Sequence, residues 1–304
     1  MIASWSRRAA LALACASGAV LLAACGSGSV VSDLTPKRFL TVGDGFADVG
    51  QNGHRFTVND GSLNWVQQLA AHYKLTLEPA SAGGYGYAQG HARVDSADIS
   101  SGTDAPSVKT QIDTLLARTS FVDGDVMMIN GGIPDIVAAV QANGISETST
   151  KTVQDAGKAL AEQVRRVVDA GARHVVVTGV YNVGSTPWAR SLGHEPEIEQ
   201  LSVAFNDALL IGINDLWRNV LYLDPALFFN LIYNKPGSYP FDNARDAVCT
   251  TPDASTCTPD TLVTGANYER WLYADGLHYT PAAQRLFMND DYAESGYRRF
   301  KNNW

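Results

Sequence analysis

Long apolar runs are scarce in this chain of 304 residues. Only residues 9–24 form one, and it falls short of the ~20 consecutive apolar residues that a membrane helix needs. Basic clusters are missing as well. Lys and Arg number 23 against 31 Asp and Glu, a formal net charge of −8, which excludes the cationic footprint of a nucleic-acid binder. The six histidines (His54, His72, His91, His174, His194 and His278) show neither an HExxH pattern nor a Cys/His spacing suited to zinc, so no metal and no other cofactor is expected. No period of about 20–50 residues repeats, which rules out solenoids and propellers.

What is present begins with Arg7 and Arg8, an apolar segment from Ala9 to Ala24, and Leu22-Ala23-Ala24 immediately before Cys25. A charged start, an apolar middle and a small-residue cleavage site make an export leader. Leu-Ala-Ala-Cys also resembles the bacterial lipobox, whose Cys is acylated and becomes the first mature residue. Residues 1–24 are thus expected to be a lipoprotein signal peptide, and Cys25 a lipid anchor to the cell envelope. Gly26 and Ser27 lack an inner-membrane retention Asp, which implies the outer membrane, facing the periplasm or the surface. Residues 25–37, rich in Gly and Ser, read as a flexible tether, and residues 38–304 as one domain of ample size for a single core. Cys15 leaves with the leader; the remaining pair, Cys249 and Cys257, is expected to form a disulfide in an exported protein.

Within the domain, short apolar strands alternate with amphipathic helices. Phe39-Leu40-Thr41-Val42, Lys74 to Glu78, Val126 to Ile129, His174 to Thr178 and Val220 to Leu223 read as strands. Helical spacing is carried by Trp65, Leu69 and Tyr73, by Ser107 to Ala117, by Val153, Leu160, Val164 and Val167, and by Ile198, Leu201, Phe205, Leu209 and Ile213. This order predicts an α/β/α three-layer sandwich around a five-stranded parallel sheet. From Asp224 to Arg270 the periodicity fades, and an insertion beside the site is expected.

Several stretches, taken in order, resemble the GDSL or SGNH family of ester hydrolases. Gly43-Asp44-Gly45-Phe46-Ala47-Asp48-Val49-Gly50 is similar to the first block, Gly-Asp-Ser-Leu-Ser-Asp-x-Gly. Tyr87-Ala88-Gln89-Gly90-His91-Ala92 resembles the second, Tyr-Ala-x-Gly-Gly-Ala. Gly132-Ile133-Pro134-Asp135 resembles Gly-x-Asn-Asp, and Asp275-Gly276-Leu277-His278 the closing Asp-x-x-His. The resemblance implies a flavodoxin-like strand order 2-1-3-4-5. It makes His278 the general base and Asp275 the residue that orients it, with Gly45, Gly90 and residue 134 at the oxyanion positions. Two family residues are replaced: Gly45 stands at the nucleophile Ser, and Pro134, which has no donor, at the oxyanion Asn. Loss of a triad nucleophile costs on the order of a million-fold and loss of one oxyanion donor about a hundred- to a thousand-fold. The expectation is therefore a monomeric hydrolase-like lipoprotein that binds an acyl ester, a lipid or an acylated glycan in the old cleft. Two alternatives stand beside it: an active ester hydrolase using a His278-activated water or another Ser, and a structural envelope lipoprotein.

Overall fold

The computed structural model describes residues 34–98 and 101–304. The leader, Cys25 and most of the tether lie outside the described residues. Residues 34–37, expected at the end of the tether, rest on the body: Leu34 N–H donates to the Trp304 carbonyl and Lys37 N–H to that of Gly124.

Four parallel strands form the central sheet in the order β1 (Arg38–Val42), β2 (Asp125–Ile129), β3 (His174–Thr178) and β4 (Val220–Leu223). Leu40 faces Met127 across β1 and β2, Met127 faces Val175, and Val176 faces Leu221. β1 to β3 are near-continuous apolar runs and are buried along almost their whole length, as a sheet covered on both faces requires. One group of helices comprises α2 (Val108–Arg118), α3 (Ile133–Asn143), α4 (Glu147–Asp169) and α6 (Glu195–Ile213), with the short α5 (Pro187–Leu192) beside α6. Another comprises α1 (Trp65–His72), α7 (Pro225–Asn234), α8 (Pro281–Phe287) and α9 (Gly296–Asn303). This is the α/β sandwich that the alternation implies.

The expected second strand, Lys74 to Glu78, is not one. Lys74 turns into the left-handed region to end α1; of that stretch Leu77 is buried and Leu75 packs partly against the core. The edge beside β1 is taken instead by residues 85–89, where Thr41 N–H donates to the Tyr85 carbonyl and Tyr87 N–H to that of Thr41. The region from Asp224 also holds more order than its faded periodicity suggests. Asp224 caps α7 through the Leu227 N–H, and β5 (Asn243–Ala247) pairs with β6 (Trp271–Tyr273) as a separate two-stranded sheet. Cys249 and Cys257 are bonded, as expected.

Two local features aim the site. Gly43 and Gly132 take positive φ at the ends of β1 and β2, turning both chains at the carboxyl edge of the sheet, where such sheets carry their sites. Beneath that edge lies an aromatic cluster: Phe46 stacks on Trp65 at 5.5 Å and Tyr279 on Phe229 at 3.8 Å. Each such pair adds about 0.5–1.5 kcal/mol beyond its buried area, which seats the loops carrying Gly45 and His278 on a rigid floor. Thr280 then caps α8 through the Ala283 N–H, with Pro281 at its first turn.

Candidate active site

His278 sits at the start of that cap, 9% exposed, with Nδ1 between both oxygens of the Asp275 carboxylate at 3.0 and 2.9 Å. Asp275 also accepts the N–H groups of Leu277, His278 and Ala254 at 2.8, 2.6 and 2.7 Å. Burial pushes the Asp275 carboxyl up, but the His278 imidazole and the converging N–H groups outweigh it and hold it below the ordinary carboxylate range. Burial likewise pushes His278 down, and Asp275, with Asp253 and Asp44 farther off, outweighs it and leaves the imidazole raised. The raised histidine contributes stability below pH 6.5 that is lost as pH rises through its folded pKa. The depressed carboxylate contributes stability above pH 3.8 that is lost as pH falls. The dyad therefore stabilises most between those limits. Imidazole NMR should find His278 titrating above 6.5, and Asp275→Asn should lower that midpoint; an unmoved midpoint would mean that Asp275 does not hold the charge.

Gly45 lies directly in front of the dyad. A Cβ built on it would stand 2.9 Å from His278 Nε2 and 3.0 Å from Phe56 Cγ. Residue 45, which the resemblance sets at the nucleophile position, thus stands beside the imidazole, and no hydrogen bond to His278 Nε2 is formed among the described residues. The oxyanion positions named by the resemblance have the following partners. Gly90 donates its N–H to Asp48 Oδ2 at 2.9 Å, so that donor is committed within the loop. Its missing side chain serves a different end: a Cβ at Gly90 would lie 1.8 Å from the Phe56 ring. Pro134 occupies the first turn of α3, as its fixed φ suits, and offers no donor. Asn130 is engaged elsewhere, donating to Asp44 Oδ1 at 2.5 Å.

Two further carboxylates near this centre, Asp44 and Asp135, are buried. Asp44 Oδ1 also accepts the Phe46 N–H, while Oδ2 has no hydrogen-bond partner and the Ile133 N–H faces the carboxylate without completing a bond. Burial raises the Asp44 carboxyl. Asp135 accepts from Arg93 Nε at 3.2 Å and from the Val94 N–H at 3.0 Å, which ties the third block to the second. Burial pushes Asp135 up to about 6, with Arg93 opposing.

Three groups were not read from the sequence as parts of the site. Phe56 lies between two imidazoles, its ring centroid 5.1 Å from His278 and 5.1 Å from His91. His91 takes φ +65° and pairs through Nε2 with Asp253 at 3.0 Å. The signal for His91 was available, since it replaces the second glycine of the block it belongs to. Asp253 lies 162 residues farther along, in the disulfide loop, and no local pattern joins them.

Two neighbouring spaces result, sharing His91, Val137, Leu277 and His278 in their walls. A cleft of about 660 Å³ is bordered by Phe56, His91, Trp188, Asp253 and His278 together with Asn52, Gln89 and Gln141. A small pocket of about 40 Å³ is walled by Ile133, Pro134, Val137 and Leu277, with Asp44, Gly45, His91 and His278 at its polar side. Among the described residues no group of His, Cys, Asp or Glu is placed to hold a metal ion.

A buried His–Asp dyad at the carboxyl edge of a parallel sheet is the frame of an ester-hydrolase-type α/β protein. The profile of the GDSL-like lipase/acylhydrolase family matches residues 39–290, and the chain belongs to that family. A curated relative, a GDSL esterase/lipase of Arabidopsis thaliana, is 26% identical over 141 residues, covering 42% of this chain and 39% of its own length. The chain thus spans well under half of that relative. Among solved structures, an acetyl-xylooligosaccharide esterase from Geobacillus stearothermophilus matches at 12% identity and a TM-score of 0.46, over 88% of this chain and 96% of that one. Phospholipase A1 from Streptomyces albidoflavus matches at 16% identity and a TM-score of 0.43, over 88% and 100%.

Proposed function

We propose that this protein is an envelope lipoprotein that binds the ester of a short acyl group in the family cleft and does not form an acyl-enzyme. One observation carries the reading: an intact, buried His278–Asp275 dyad faces a residue with no side chain, and the place of that side chain is closed in by His278 and Phe56. Members of the family act on ester and lipid substrates. The small pocket suits an acyl group of about two or three water-sized units, and the amide- and Trp-lined cleft suits a polar carrier such as a glycan. An idle scaffold would need neither the dyad nor the three backbone N–H groups that converge on Asp275, which speaks against a purely structural lipoprotein. The anchor on Cys25, the outer-membrane address and the monomeric state belong to the same proposal.

Titration with acetylated and unacetylated cellobiose, followed by the His278 imidazole resonances, tests it. The acetylated sugar should shift them saturably and the unacetylated sugar should not; equal behaviour of the two would refute the reading. Cys25→Ser should move the protein from the membrane to the soluble fraction.

A further inference from the structure

We propose that His91 and Asp253 form a second acid–base pair on the pocket of His278 and Asp275, and that the two pairs hydrolyse a bound acetyl-sized ester by direct attack of water. This rests on the reading of the cleft as an acyl-ester site.

The geometry supplies the parts. Both imidazoles border the pocket of about 40 Å³ beside Asp44 and Gly45, with apolar walls opposite, so an acyl methyl has Ile133, Pro134, Val137 and Leu277 to lie against while its carbonyl meets the polar side. Each imidazole has one nitrogen on a carboxylate, His278 through Nδ1 and His91 through Nε2. The other nitrogen of each, Nε2 of His278 and Nδ1 of His91, carries no hydrogen bond among the described residues. His91 holds a left-handed backbone at φ +65°, which few non-glycine residues take, His more readily than most, and such backbone gathers where a side chain is needed at a site. Asp253 holds it there: burial raises that carboxyl, but the hydrogen bonds from His91 and Ser255 outweigh burial and bring it below the ordinary range.

The roles follow from the carboxylates. Both oxygens of Asp275 lie on His278 Nδ1, whereas a single oxygen of Asp253 lies on His91 Nε2, so the acid is assigned to His278 and the base to His91. A water oxygen bonds to the acyl carbon while one of its protons passes to His91 Nδ1. The C–O bond to the alcohol then breaks, and the leaving oxygen takes the proton of His278 Nε2. One ester and one water give one carboxylic acid and one alcohol, and solvent returns the proton from His91 to His278. Neither a serine nor a covalent intermediate enters. Acid–base catalysis of this kind supplies about a hundred- to ten-thousand-fold, so turnover is slow by family standards.

The experiment measures acetate release from triacetin by the purified full chain in a pH-stat, with His91→Gly and a His91→Gly/His278→Gln double variant. Glycine accepts φ +65° without strain, so this substitution removes the imidazole without burdening the backbone. Wild type should turn over without a burst and with a bell-shaped pH profile. His91→Gly should lose about a hundredfold in kcat with KM little changed, lose one limb of the profile, and regain rate with added imidazole. An unchanged rate and profile in His91→Gly, or a wild-type rate equal to that of the double variant, would overturn the inference. Saturable binding of triacetin at the His278 resonances without turnover would overturn this inference alone, whereas absence of binding would overturn the reading beneath it.

Discussion

Gly45→Ser alone is expected to leave the protein nearly unreactive toward a fluorophosphonate, and Gly45→Ser combined with Phe56→Ala is expected to make it reactive. A serine in place of glycine restores the missing nucleophile, whose removal costs on the order of a million-fold in a triad enzyme. Its Cβ, however, must fit 2.9 Å from His278 Nε2, 3.0 Å from Phe56 Cγ and 3.1 Å from Phe56 Cβ, and His278 is pinned by Asp275. Removing the Phe56 ring frees space on one side of the new hydroxyl while His278 Nε2 stays beside it on the other. Adding Pro134→Asn should then raise turnover by about a hundred- to a thousand-fold, because a side-chain donor acts on charge that develops in the transition state. Phe56→Ala costs about 3–5 kcal/mol as a large-to-small change in a buried place, so folding is monitored alongside by circular dichroism. Equal labelling of the single and double variants would show that Phe56 is no obstacle. Strong wild-type labelling that survives His278→Ala would show that another serine carries chemistry.

Gly132→Ala should be among the most damaging single substitutions in the fold. Gly132 takes φ +114° and ψ −18° where β2 turns into α3, and an added Cβ would stand 2.3 Å from Cζ of the fully buried Phe205. Backbone strain of this kind costs about 1–3 kcal/mol and overpacking a closed core about 1–3 kcal/mol more, a large part of a stability of roughly 5–15 kcal/mol. At about 2–4 °C per kcal/mol for a domain of this size, the melting temperature should fall by roughly 5–20 °C. The turn also places Pro134 on the pocket, so ligand binding should weaken with it. A melting temperature within a degree of wild type would show that Phe205 and the turn adapt freely.

The elements that the sequence discloses are those whose cause is local. The apolar runs of β1 to β3 announce buried strands, Pro134 and Pro281 announce helix starts, and the Asp-x-x-His spacing places His278 Nδ1 on Asp275 because three residues of one turn suffice to do so. What stayed hidden depends on partners remote in the chain. Lys74 to Glu78 alternates as a strand does, yet whether it joins the sheet is decided by competition with residues 85–89, which no alternation records. The Gly90 N–H could serve an oxyanion or a neighbouring carboxylate with equal chemical sense, and only the position of Asp48 decides. Asn182 and Thr178 carry buried oxygens without partners among the described residues, which neither pattern nor packing explains.

The loop closed by Cys249 and Cys257 touches more of the site than its length suggests. Ala254 steadies Asp275, Asp253 holds His91, and the carbonyls of Ala254, Ser255 and Cys257 all accept from Asn59, three residues beyond Phe56. Acid, base and the ring between them are thus hung from one small hoop. For the experimenter this makes reductant a candidate ligand-site reagent: protein purified with dithiothreitol is expected to bind cleft ligands more weakly than protein purified without it, and equal binding in the two preparations would show that the hoop holds its shape without the disulfide.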